Sequence, residues 1–141
     1  MPIFWREEMG VGHDLVDSDH RYLICLINTV ELSMVSKDDN ETIRMAIDQL
    51  EDYTRMHFTR EEFLQERIRF PQRQAHRIRH RELIDTLRAF KTKIPSLAFD
   101  SDHYHQTVEK LAGFLRNWLL DHVIKEDLLM KPHIQKQCPP E

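Results

Sequence analysis

Nine histidines stand in a chain of 141 residues, and the spacing of several of them suits metal ligation. His57 and Glu61 are four apart, as are His76 and His80, so on a helix each pair projects from one face about one turn apart. His20 and His122, like these, fall in phase with apolar residues spaced by three and four. One histidine on such a stripe is ordinarily a core residue hydrogen-bonded to a neighbour. Five of them with Glu61 are a different matter, because buried imidazoles and carboxylates without partners each cost several kcal/mol. They must be neutralised together, and a metal is the simplest common partner. Asp127 follows His122 by five residues, which on a regular α-helix turns it about 140° away. It can join the others only if that helix is distorted or broken there, by a bulge or a terminal turn.

The elements that must carry these residues are helices. Glycine occurs only at 10, 12 and 113, β-branched runs are few, and no Asn-Gly or Asp-Gly hairpin signal is present. Apolar periodicity and capping residues predict four helices over about 18–36, 40–68, 72–94 and 102–130. Asp17 or Ser18 is expected to cap the first, and the Ser36–Asn40 turn the second. Pro71 sits just ahead of the third and Pro95 closes it, and Asp100-Ser101-Asp102 caps the fourth. Pro132 is expected to end the regular structure and leave a loose tail over 132–141. Residues 1–16 read as an irregular arm whose Phe4 and Trp5 need an apolar surface. Short turns between four helices predict an all-α, up-down-up-down four-helix bundle, one domain over 1–141. In that order the start of the first helix, the end of the second, the start of the third and the end of the fourth share one end of the bundle. His20, His57, Glu61, His76, His80 and His122 converge there.

Composition narrows the class. Apolar residues make up 40% and charged residues 31% of the chain, a balance that suits a globular protein. A net charge of −4 argues against nucleic acid as the main partner. No run approaches the ~18 apolar residues of a membrane span. The opening MPIFWREEMG has neither the basic nor the apolar region of an export signal, so the expected location is the cytoplasm. Cys25 and Cys138 make no metal or redox pair motif and read as free thiols. The arginines between 55 and 93 are expected on a solvated outer face, and the chain is expected to be a monomer.

Several pieces of the sequence together resemble the hemerythrin family, its bacterial single-domain members (bacteriohemerythrins) most closely. They are Val16-Asp17 ahead of His20, the run HFTREE from His57, Phe70-Pro71 followed by His76 and His80, and Trp118-Leu119 ahead of HVIKED. The opening FWREEMGVGHDLVDSDH is similar to the family's as well, and the likeness spans about residues 4–130. His13 is a departure, standing where an aliphatic residue is usual. The resemblance implies two iron ions joined by an oxo or hydroxo bridge. One iron would take His76, His80 and His122, the other His20 and His57, with Glu61 and Asp127 bridging. Asp127, doubtful on spacing, is thereby expected in the site.

With bridging assumed, five imidazoles, two carboxylates and one bridging oxygen fill every position of two octahedral irons but one. The vacancy falls on the iron with two histidines, where O2 would bind. Bundle enzymes that oxidise substrates at two irons use four Glu and two His. A set richer in neutral imidazole carries less negative charge to stabilise high-valent iron, which favours reversible binding over cleavage. The function implied is therefore reversible O2 binding, for storage, transport, delivery to oxygen-requiring enzymes or sensing, rather than catalysis. A di-iron enzyme acting on nitric oxide or peroxide is the alternative. An oxygen-consuming enzyme or a signalling protein would be the partner. Helix phase and the resemblance nominate Leu23, Phe58, Trp118, Leu119 and Val123 as the apolar lining of the open position. A Leu119→Ala or Leu119→Asn variant should therefore autoxidise faster in air, and an unchanged rate would remove Leu119 from the lining.

Overall fold

The computed structural model describes residues 2–35 and 40–137, save the side chains of Val35, Leu119, Leu120, Val123 and Ile124. Four antiparallel helices build the bundle: α1 (Asp14–Val35), α2 (Asn40–Arg67), α3 (Arg73–Ser96) and α4 (Asp102–Trp118). Each packs on the next and α4 returns against α1, with no strand among the described residues. The stripes that drive this are the expected ones. Leu23, Ile27 and Val30 of α1 meet Ile43, Ile47 and Leu50 of α2, Leu87 and Ile94 of α3, and Leu111 and Leu115 of α4 in one buried cluster. Burying each Leu or Ile is worth about 1.5–3 kcal/mol. Of the expected turn Ser36–Asn40, residues 36–39 lie outside the described residues and Asn40 opens α2.

The chain's two ends differ from expectation. α1 begins at Asp14, earlier than the expected cap at Asp17 or Ser18. His13 takes the capping place, its Nδ1 accepting the Val16 N–H at 3.4 Å. Asp17 is left free to bind the arm, accepting the N–H groups of Val11 (2.8 Å) and Gly12 (3.2 Å). Gly12 has φ of 87° there, a conformation open to glycine without strain. The arm is further tied by reciprocal hydrogen bonds between the Ile3 backbone and the Asn28 side chain. Trp5 packs against the core beneath the Arg21 guanidinium, whereas Phe4 finds no apolar cover and is 73% exposed.

Prolines 95 and 132 do not end helices as expected. Pro95 sits in the last turn of α3, which continues to Ser96. Pro132 sits in the first turn of a further helix, α5 (Lys131–Gln137), where a missing N–H leaves no helix bond unmade. The expected loose tail is thus corrected to ordered helix as far as Gln137. α5 has work to do there. Ile134 and Met130 join Val11, Val16, Leu64, Ile68 and Phe70 in a second apolar cluster. These residues come from the arm, the start of α1, the end of α2, the turn to α3 and the C-terminal segment, so they close the bundle end to which the histidines belong.

The fourth long helix is broken where the sequence left the matter open. After Trp118 the chain widens into a π-helical segment, Leu119–Glu126, and then tightens into a 3₁₀ turn, Asp127–Met130. The Asp127 N–H bonds to the His122 carbonyl, five residues back. Because α5 plugs the bundle through a fully enclosed side chain, Ile134→Ala should destabilise the protein by about 2–5 kcal/mol in urea denaturation. A loss within ~0.5 kcal/mol, the size of a surface substitution, would show that α5 is dispensable.

Candidate metal centre

Seven polar side chains lie between the two apolar clusters. His20 comes from α1, His57 and Glu61 from α2, His76 and His80 from α3, His122 from the π segment and Asp127 from the 3₁₀ turn. All are buried, none more than 4% exposed. The widened helix answers the angular problem posed by His122 and Asp127: their side chains meet, His122 Nε2 lying 3.3 Å from Asp127 Oδ1.

The donor atoms fall into two groups that share one residue. His20, His57, Glu61 and Asp127 offer atoms within 4.8 Å of one another, and so do Glu61, His80 and His122. Glu61 thus spans both, with Oε2 toward His57 (2.9 Å) and Oε1 toward His80 (3.4 Å). Asp127 spans likewise, with Oδ2 at 2.9 Å from His20 Nε2 and Oδ1 facing His122. His76 stands further back, its Nε2 4.0 Å from Asp127 Oδ1.

His80 Nε2 and His122 Nε2 lie 3.2 Å apart, within hydrogen-bond distance, but most of the other inward atoms are close without being hydrogen-bonded. His20 Nε2, His57 Nε2, His76 Nε2, Glu61 Oε2 and both Asp127 oxygens are buried and have no hydrogen-bond partner. The His20–Asp127 and His57–Glu61 approaches of 2.9 Å are therefore contacts between groups aimed past each other. Two donors held at right angles by one ion, with bonds of about 2.1 Å, are about 3 Å apart. The residues fit a pair of metal ions. Electrostatics agree: burial opposes a charge on His20 and His80, yet Asp127 and Glu61 push the first up to about 10, and Glu61 and Glu62 the second to about 9. The two carboxylates thus favour positive charge at this place.

The outward ring nitrogens meet partners that the sequence did not disclose. His57 Nδ1 lies 3.0 Å from Asp19 Oδ2. Asp19 also accepts from Tyr53 Oη (2.6 Å) and from Arg60 Nε and Nη2 (2.8 and 2.7 Å). Burial disfavours its charge, but His57, Arg60 and Tyr53 outweigh that and hold its carboxyl well below the usual range. His122 Nδ1 lies 3.3 Å from Glu126 Oε2, and Arg79 holds the other oxygen of Glu126. His122, against opposing burial, and then Arg79 lower the Glu126 carboxyl to about 2. His80 Nδ1 comes within 3.4 Å of Glu62, and His76 Nδ1 meets the Gln65 amide. Carboxylates so placed fix the tautomer and orientation of a ligating ring and raise its basicity. The Glu126 pairing was readable from its four-residue spacing to His122. Nothing in the sequence marked Asp19 or Gln65.

Of the residues nominated to line an open position, Phe58 and Trp118 are buried against the three-histidine side. Phe58 stacks on His80 with ring centroids 3.7 Å apart, and Trp118 lies over His122 at 6.3 Å. Leu23, fully buried one turn after His20, faces the same core. The side chains of Leu119 and Val123 lie outside the described residues.

Comparison with known proteins agrees with this geometry. The family model described as hemerythrin HHE cation binding domain matches residues 11–134. The chain is 26% identical over 125 residues to a bacteriohemerythrin of Stenotrophomonas maltophilia, covering 89% of this chain and 76% of that one. It is 25% identical over 126 residues to one of Clostridium acetobutylicum, covering 87% and 94%. A hemerythrin-like protein of Naegleria gruberi is 25% identical over 130 residues, 92% of each chain.

The Asp19 contacts carry a consequence for metal retention. Asp19→Asn should let a chelator strip iron about 10–100-fold more readily, measured by competition at fixed pH. Retention equal to the parent's would mean that Asp19 only ties α1 to α2.

Proposed function

The chain belongs to the hemerythrin family, whose domain binds a di-iron centre, and from that premise we propose that it binds O2 reversibly for storage, transport, delivery or sensing. In this reading His76, His80 and His122 would hold one iron, His20 and His57 the other, and Glu61 and Asp127 would be shared between them. The observation that carries it is the pair of donor groups sharing Glu61, with buried donor atoms that meet no hydrogen-bond partner. When bound, a pair of ferrous ions would supply the electrons for taking up O2 and recover them on its release.

The chain's own residues supply the rest. Five imidazoles against two carboxylates keep the net negative charge around the irons small, which disfavours their higher oxidation states. Asp19 and Glu126, each held by an arginine, keep His57 and His122 turned inward. Phe58 and Trp118 cover the three-histidine side with apolar groups, Leu23 belongs to the same core cluster, and the cluster of Val11, Phe70, Met130 and Ile134 covers the end. Both would keep bulk water and protons away from the centre. No helix among the described residues is long and apolar enough to cross a membrane.

The test is to reduce the iron-loaded protein anaerobically, admit air and then remove it, following visible absorbance and iron content. Two irons per chain and a colour that appears with O2 and fades on its removal are expected. A one-way change to the oxidised form would overturn reversible binding, and sustained turnover of nitric oxide or peroxide would assign the centre to an enzyme.

A further inference from the structure

Gln65 is fully buried, with no solvent exposure, one turn beyond Glu61 on α2. A buried primary amide requires partners, and those of Gln65 are members of the centre. Its Nε2 meets His76 Nδ1 and reaches Glu61 Oε1 and Met130 Sδ, each at 3.4 Å. Its carbonyl oxygen has no partner. Three of the other histidines turn their outer nitrogen toward a carboxylate: His57 to Asp19, His80 to Glu62, His122 to Glu126. His76 Nδ1 has an amide at hydrogen-bond distance instead, with the nearest carboxylate oxygen, Glu61 Oε1, further off at 3.6 Å.

The difference is chemical. With its Nε2 free of metal, a neutral His76 can carry its proton on Nε2 and accept at Nδ1 from the Gln65 NH2. With Nε2 bound to metal the proton must sit on Nδ1, which then needs an acceptor. Turning the amide over presents the unpartnered oxygen and gives up only two long contacts. A carboxylate at 65 could accept but not donate, and would face Glu61 across the core. A thioether could do neither well. We propose that Gln65 is a positioning residue for His76, a two-way hydrogen-bond partner that keeps it inward in both the metal-free and the loaded protein and leaves it the least basic of the three histidines on its iron.

The inference rests on His76 being a metal donor, so the experiment includes His76→Ala. Parent, Q65M, Q65E and His76→Ala proteins are loaded anaerobically with Fe(II), and chelator extraction, iron stoichiometry and reduction potential are measured. Q65M is expected to lose iron about 10-fold faster. Q65E is expected to retain iron at least as well as the parent, with a lower potential, because a carboxylate makes His76 the stronger donor. Nitrogen NMR of parent protein, metal-free and loaded with Zn(II), should show the His76 proton move from Nε2 to Nδ1. If His76→Ala keeps iron as the parent does, the site reading itself fails. If that variant loses iron while Q65M does not, or Q65E leaves the potential unchanged, the role given to Gln65 fails alone. The same NMR tautomer in both states overturns the two-way exchange, including where Q65M does not fold.

Discussion

The structure depends on an imbalance of donors and acceptors in a place without water. Seven side chains able to bind a cation are gathered in the core, and most of their inward-facing atoms accept no hydrogen bond. Left so, each is a liability of ~1–3 kcal/mol or more. Bound to metal, the same atoms become the strongest cross-links in the bundle, since a cation ties α1, α2, α3 and the π segment at one level. Fold and site are therefore one arrangement: the hydrophobic stripes bring the helices together, and the ions decide what the polar end of each stripe is for.

The helices deliver this through register more than through unusual backbone. Pairs four apart on α2 and α3 need only an ordinary α-helix. The exception is the π segment, where a widened turn brings His122 and Asp127, five apart, onto one centre. π turns are poor helix, with weaker packing along the axis. One is retained here because the site needs a carboxylate that an α-helix would point elsewhere. The weakness is offset by what lies against it, Phe58 and Trp118 on one side and the Met130–Ile134 cluster on the other.

How much of this the sequence disclosed follows from the range of the forces involved. Helix order, the core stripes and the convergence of His20, His57, Glu61, His76, His80 and His122 could be read because periodicity is local and an up-down topology leaves few choices. Asp127 could not be placed by spacing, since a π turn carries no pattern in the residues that form it. The ordered C-terminal helix was missed because Pro132 reads equally as a terminator and as a first-turn residue. Only the apolar groove it fills decides, and that groove is assembled from segments distant in sequence. Asp19 and Gln65 were hidden for the same reason, their partners being residues 38 and 11 positions away.

The outer partners also make the two halves of the centre unequal. On the two-histidine side, His57 is held by a carboxylate that is itself locked by Arg60 and Tyr53, while His20 Nδ1 has no partner at all. On the three-histidine side the neighbours differ in kind: His122 meets a carboxylate paired with Arg79 and His76 an amide, while His80 Nδ1 lies 3.4 Å from Glu62 without a hydrogen bond. Basicity passes from such partners through the imidazole to the metal, so the two ions would differ in electron density even with matched bridges.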